Sequence, residues 1–135
     1  MARSVIVDSG FLVALVRRDD AHHPWAFELS GRFAAPWHTC EAVLSETFFV
    51  AGAVVRQKVA DLLTRRLIVA DFSLVAEQEC VLTLMDKYAS VPMSLADACL
   101  VRMTEILPDP VLLTTDADFR VYRRHSRQVV PCLMP

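Results

Sequence analysis

The sequence predicts an α/β protein, a central parallel sheet of about five strands between two layers of helices, on three observations. Short β-branched runs such as Ser4-Val5-Ile6-Val7 and Val111-Leu112-Leu113 lack polar alternation, the pattern of strands covered on both faces. These runs alternate with longer segments of helical character, which requires crossover connections. The chain's 135 residues, 54% hydrophobic with only 3 glycines, suit one compact domain spanning residues 1–135, with a large core and no linker.

The first strand, residues 4–7, stops at Asp8, and a helix follows over 10–17. The polar stretch Asp19-Asp20-Ala21-His22-His23 leads into Pro24-Trp25, where Pro opens a helix over 24–30; that loop accounts for both histidines without a metal cluster. Residues 32–35 form the weakest strand. Helices then occupy 40–54 and 57–66, a short strand 67–70, and helices 74–88 and 94–107. Pro108 and Pro110 delimit the strand at 111–113, and Gln128-Val129-Val130 forms the last.

Bulk properties exclude several classes. A net charge of -2 gives no general attraction to nucleic acid, so any such binding needs a local patch. Asp8 interrupts the N-terminal apolar run too early for a secretory segment, and the longest apolar run, 48–55, is far below the roughly 20 residues of a membrane span. A cytoplasmic protein is expected. Cys40, Cys80, Cys99 and Cys132 show no zinc-type spacing and read as buried free thiols.

The informative residues are carboxylates in apolar surroundings. Asp8 and Asp116 directly follow the apolar parts of two buried strands, and in open α/β sheets the crevice beyond the strands' carboxyl ends is where ligands bind. Glu46 shares a helix face with Ala42, Phe49, Val50 and Ala53, where an ionised group is costly unless paired or bound to a cation; a solvated strip of Ser45, Glu46 and Thr47 is the competing reading. Asp97 stands three residues after Ser94, a capping-box spacing that needs no catalysis, on a helix whose solvent side is marked by Arg102 and Glu105.

Together, Val5-Ile6-Val7-Asp8-Ser9, Leu44-Ser45-Glu46-Thr47, Ser94-Leu95-Ala96-Asp97-Ala98 and Leu113-Thr114-Thr115-Asp116-Ala117-Asp118-Phe119 resemble the PIN-domain family, in particular the toxin nucleases of VapBC modules. The last motif is the most specific. The resemblance implies a three-layer α/β/α fold and divalent-metal-dependent hydrolysis of RNA leaving a 5′-phosphate and a 3′-hydroxyl. It implies that Asp8, Glu46, Asp97 and Asp116 are catalytic and bind Mg²⁺ or Mn²⁺, with Asp116 or Asp118 as the fourth ligand. Gly10 departs from the pattern, standing where a hydroxyl residue is expected. Ser9, Ser94 and Thr114 are candidates to orient the acids from behind.

Such chemistry suits these residues, because hard cations prefer carboxylate and water oxygens and can activate water near neutral pH. Arg120, Arg123, Arg124 and Arg127 surround Tyr122 and form a candidate RNA-contacting edge, against a solvated basic helix face. The expected partners are RNA, a small antitoxin and a second copy of the chain, with Phe48-Phe49 and the tail 132–135 as apolar surfaces. A stand-alone RNA-processing nuclease and an inactive RNA-binding domain are the alternatives. A magnesium-dependent signalling domain fits less well, because Asp8 stands alone at the first strand and the two lysines, Lys58 and Lys87, lie elsewhere.

Overall fold

The computed structural model describes residues 3–135. In chain order it runs β1 (Ser4–Val7), α1 (Ser9–Val16), α2 (His23–Arg32), β2 (Trp37–His38), α3 (Glu41–Thr64), β3 (Ile68–Val69), α4 (Leu74–Lys87), α5 (Leu95–Ile106), β4 (Pro110–Leu113), a 3-10 turn (Ala117–Arg120), β5 (Arg123–Arg124), β6 (Gln128–Val129) and β7 (Cys132–Leu133). Five strands form one sheet in the order β3-β2-β1-β4-β7, every neighbour parallel. The five helices flank it, giving the expected three-layer α/β/α architecture.

Burial explains the strand pattern. Ile6, Val7, Leu112 and Leu113 are fully buried, because β1 and β4 lie at the centre with helices on both faces. Around them Phe11, Leu12, Leu100, Met103 and Phe119 complete the main core. Helix α1 packs on α2 and α3, and α4 packs on α5. The chain leaves β1 toward β2 on one side and reaches β4 on the other, so a topological switch point lies between β1 and β4.

The differences from the sequence-based expectation have local causes. The strand expected at 32–35 lies instead at Trp37–His38: α2 continues to Arg32, and the Phe33 N–H closes it on the Leu29 carbonyl. Only beyond Pro36 do Trp37 and Thr39 offer N–H groups to Leu67 and Val69. The strand at 128–130 does not join the sheet; Gln128–Val129 pairs antiparallel with Arg123–Arg124 in a separate hairpin. The fifth sheet strand is Cys132–Leu133, so the tail read as a surface for a second copy is partly paired to β4. The helices expected at 40–54 and 57–66 are one element broken at Gly52, whose φ of 73° suits a residue without Cβ.

Two further readings change. Arg102 and Glu105 do not mark a bare solvent face, because Arg102 donates from Nε to Glu77 of α4 at 2.8 Å and from Nη1 to Glu105 at 3.1 Å. Cys40 and Cys99 are buried, but Cys80 is exposed and Cys132 half-buried. Among the described residues no helix is long and apolar enough to cross a membrane.

Candidate active site

The ladder between β1 and β4 builds the floor of the site. Val7 pairs with Leu113, and the Asp8 N–H still reaches the Leu113 carbonyl at 3.1 Å, which places Asp8 beside Thr114 one step beyond the strands. Asp8 then caps α1, its Oδ1 accepting the Ser9 N–H at 2.7 Å, while Oδ2 accepts the Thr114 hydroxyl at 2.7 Å. Thr114 Oγ1 in turn accepts the Asp116 N–H at 3.0 Å, so one buried hydroxyl ties the two strand-end acids together.

Asp8 is only 6% exposed, and among the described residues no cationic side chain pairs with it. Burial pushes its carboxyl up to about 6, opposed by the Thr114 and Ser9 hydrogen bonds and reinforced by the charges of Asp97 and Glu46.

Helix α3 brings Glu46, whose Oε2 accepts the Ser9 hydroxyl at 3.2 Å. Its neighbours Phe49 and Val50 are exposed, so Glu46 stands at a solvent-facing rim rather than inside an apolar face. Partial desolvation still raises its carboxyl, with Asp97 and Asp116 adding to the effect.

Helix α5 brings Asp97 in its first turn through a capping box with Ser94: the Asp97 N–H reaches Ser94 Oγ at 3.0 Å and the Ser94 N–H reaches Asp97 Oδ2 at 3.4 Å. Burial raises the Asp97 carboxyl, the Tyr122 hydroxyl opposes this, and Asp116 raises it further. The capping reading of Asp97 is therefore correct and incomplete, since the same side chain faces the other acids.

Asp116 and Asp118 divide their tasks. The Asp118 N–H is given to Asp116 Oδ1 at 2.9 Å, which holds the 3-10 turn, and Asp118 itself is exposed. It is the Asp116 charge that acts on Glu46 and Asp97. Four acids from four distant segments thus lie near enough, at the switch point, for their charges to act on one another. Among the described residues none of them is paired with Arg, Lys or His. One oxygen each of Glu46, Asp97 and Asp116 takes the bonds just described, and Glu46 Oε1, Asp97 Oδ1 and Asp116 Oδ2 accept no hydrogen bond from the described protein groups.

This arrangement coincides with the result of comparison: the model of the PIN domain matches residues 5–124. The chain belongs to the PIN-domain family. The Mycobacterium tuberculosis toxin VapC20, described as cleaving the sarcin-ricin loop, superposes with a TM-score of 0.73 at 21% identity over 87% of this chain and 94% of that one, which supports the fold. Comparison with curated protein sequences returned no match.

Around this PIN-domain crevice the basic residues are unequal. Arg123 folds its guanidinium back onto the carbonyls of Arg120, Val121 and Tyr122, and Arg124 reaches the Thr104 carbonyl and Gln128. Both serve the hairpin. Arg120 and Arg127 are exposed, on a turn and a hairpin loop rather than the helix face considered from sequence.

A groove of about 180 Å³ beside Ser9 is lined by Gly10, Val13, Asp20, His22, Val50 and Thr115. His22 gives its N–H to Asp20 and His23 meets the Ala14 carbonyl, as expected of a loop leading into a helix. Gly10 explains its own departure from the family pattern: a Cβ there would lie 2.0 Å from Thr115 Oγ1, so a neighbouring strand-end hydroxyl fills the space.

The residue that sequence reasoning misplaced is Tyr122. Read as an aromatic on an RNA-contacting edge, it is fully buried, packed edge-on against Tyr88 and Phe119. Its hydroxyl donates to Asp97 Oδ2 at 2.9 Å. The one available signal was its position four residues past Asp118, close enough in chain for the turn to fold it back.

Proposed function

We propose that this PIN domain is a divalent-metal-dependent endoribonuclease and the toxin of a VapBC-type pair. The observation that supports this is that Asp8, Glu46, Asp97 and Asp116 lie near enough for their charges to act on one another, with none of them paired to a positive side chain among the described residues. Such a group of acids destabilises the fold unless a cation is present.

The donor set is all oxygen, which suits Mg²⁺ or Mn²⁺. Among the described residues no three acidic, histidine or cysteine side chains close on a single point. A cation here would therefore be held by one or two of these carboxylates, with water completing its octahedral shell, the usual condition of Mg²⁺. When bound, it supplies Lewis-acid stabilisation of charge on the scissile phosphate and activation of water.

The protein's own contribution is orientation. Thr114 and the Ser9 N–H hold both oxygens of Asp8, the Ser9 hydroxyl couples Glu46 to that position, and the turn holds Asp116. Arg120 and Arg127 would meet phosphates of the RNA strand. A small antitoxin would cover the crevice, and Phe49 and Val54, both exposed on α3, offer apolar surface for it or for a second copy of the chain.

The test is cleavage of a panel of tRNA and rRNA fragments, a sarcin-ricin-type hairpin included, with millimolar Mn²⁺. Wild type should cut with strict metal dependence, Asp97→Asn should not, and growth arrest on expression should vanish with Asp8→Ala. Cleavage that survives EDTA, or is equal in Asp97→Asn, would remove the assignment. Cleavage without growth arrest would leave a stand-alone processing nuclease.

A further inference from the structure

We propose that Tyr122 is a positioning residue of the acidic site, its hydroxyl fixing the Asp97 carboxylate so that Oδ1 is presented for cation binding. The inference rests on the reading of the four acids as a metal site, and adds a residue outside the acidic motifs.

Three features of the structure converge on it. The Tyr122 hydroxyl, at 2.9 Å, is the shorter of the two contacts to Asp97 Oδ2; the Ser94 N–H lies at 3.4 Å, too long to set the side-chain torsion alone. Both donors engage the same oxygen, and Oδ1 accepts no hydrogen bond from the described protein groups.

The phenol itself cannot wander. Its ring is fully buried, with centroids 5.1 Å from Tyr88 and 5.2 Å from Phe119, at edge-to-face angles of 64° and 89°. The following residue is also tied down, because the Arg123 N–H donates to the Tyr88 hydroxyl at 2.9 Å.

Tyr122 also joins two acid-bearing segments. It lies at the end of the turn that starts from Asp116, and it reaches across to α5, which carries Asp97. Its hydroxyl thereby ties α5, which carries the third acid, to the chain leaving the turn that carries the fourth, although these two acids repel each other. Groups that hold a metal ligand from behind typically change metal affinity or activity by about 10- to 100-fold when removed.

The experiment compares wild type, Tyr122→Phe, Tyr88→Phe and Asp97→Asn. Direct Mn²⁺ binding to the protein is measured by calorimetry or by paramagnetic resonance of free Mn²⁺, alongside metal-free melting and RNA cleavage. Tyr122→Phe keeps the ring and should weaken Mn²⁺ binding about tenfold, lowering kcat at subsaturating Mn²⁺ while leaving KM for RNA unchanged. Saturating Mn²⁺ should restore most of kcat. Tyr88→Phe, in the same aromatic cluster but not touching Asp97, should bind Mn²⁺ as wild type does.

A Tyr122→Phe dissociation constant within twofold of wild type overturns the proposal, as does equal weakening in Tyr88→Phe, which would trace the effect to the hairpin tether. If Asp97→Asn itself binds Mn²⁺ normally, the metal-site reading fails first. In the unmutated protein, the Tyr122 hydroxyl proton should be slow to exchange and should shift on adding Mg²⁺; no shift also counts against the proposal.

Discussion

Asp8 gives the metal-free protein a pH-dependent weakness that can be measured. Its carboxyl ordinarily titrates near 3.8 and is pushed to about 6 in the folded chain, chiefly by burial. The folded state therefore holds its proton more tightly than the unfolded state, and stability falls as pH rises from about 4 to about 6, remaining lower above that. The full displacement corresponds to about 3 kcal/mol, of which about 1.4 kcal/mol appears between pH 5 and pH 7.5. For a domain of this length that predicts a fall in Tm of about 5 °C across the interval, in EDTA.

Glu46 and Asp97 are raised in the same direction and steepen the fall. Millimolar Mn²⁺ at pH 7.5 should reverse it, because a ligand of the native state adds stability by linkage. Asp8→Asn removes this group's share and should melt higher than wild type in EDTA at pH 7.5. Its gain falls short of the full value, since the new amide meets a Thr114 hydroxyl that donates to Asp8 in the wild type. Scanning calorimetry at four pH values decides the matter: a flat metal-free Tm, or an undiminished slope in Asp8→Asn, would show that Asp8 carries no such cost.

Gly10→Ala should cost about 1–3 kcal/mol through its clash with Thr115 Oγ1, and Thr115→Ala in the same chain should recover part of that in urea unfolding; strict additivity would refute the clash. Thr114→Val keeps the shape but leaves Asp8 Oδ2 and the Asp116 N–H without their partner, a loss of about 1–3 kcal/mol in urea unfolding, and an unchanged midpoint would rule it out. Arg120→Ala and Arg127→Ala should raise KM for RNA and flatten its salt dependence, whereas Arg124→Ala should lower Tm without moving KM, because its guanidinium holds the Thr104 carbonyl. Equal KM effects in all three would mean that the hairpin arginines also face the substrate.

How much was legible follows from which interactions are local. The central strands β1 and β4 could be read because burial on both faces writes an uninterrupted apolar run, and each run ends at the point where the crevice opens. The Ser94–Asp97 box was legible because its partners are three residues apart. Strands β2 and β7 have two residues each, too few for any period to show, and they exist because β1 and β4 offer their edges, whereas β3, equally short, falls inside the run 67–70 read as a strand and pairs with β2. The break at Gly52 was hidden inside the apolar run 48–55, whose residues are mostly exposed and so follow no burial period.

By itself, then, the order of residues determined the layer architecture and singled out Asp8, Glu46, Asp97 and Asp116 as acids amid apolar neighbours, but only for Asp8 did that neighbourhood mean near-complete burial, where charge is costly. Tertiary structure alone decided that the Asp116 carboxylate both caps the turn, through the Asp118 N–H, and acts on Glu46 and Asp97, while the Asp118 side chain stands exposed. It also decided that Arg123 and Arg124 bind carbonyls, and that Tyr122 grips Asp97 from 25 residues away. Those outcomes depend on direction and distance between segments that meet only after the sheet has formed, and no local pattern of hydrophobicity or spacing encodes them.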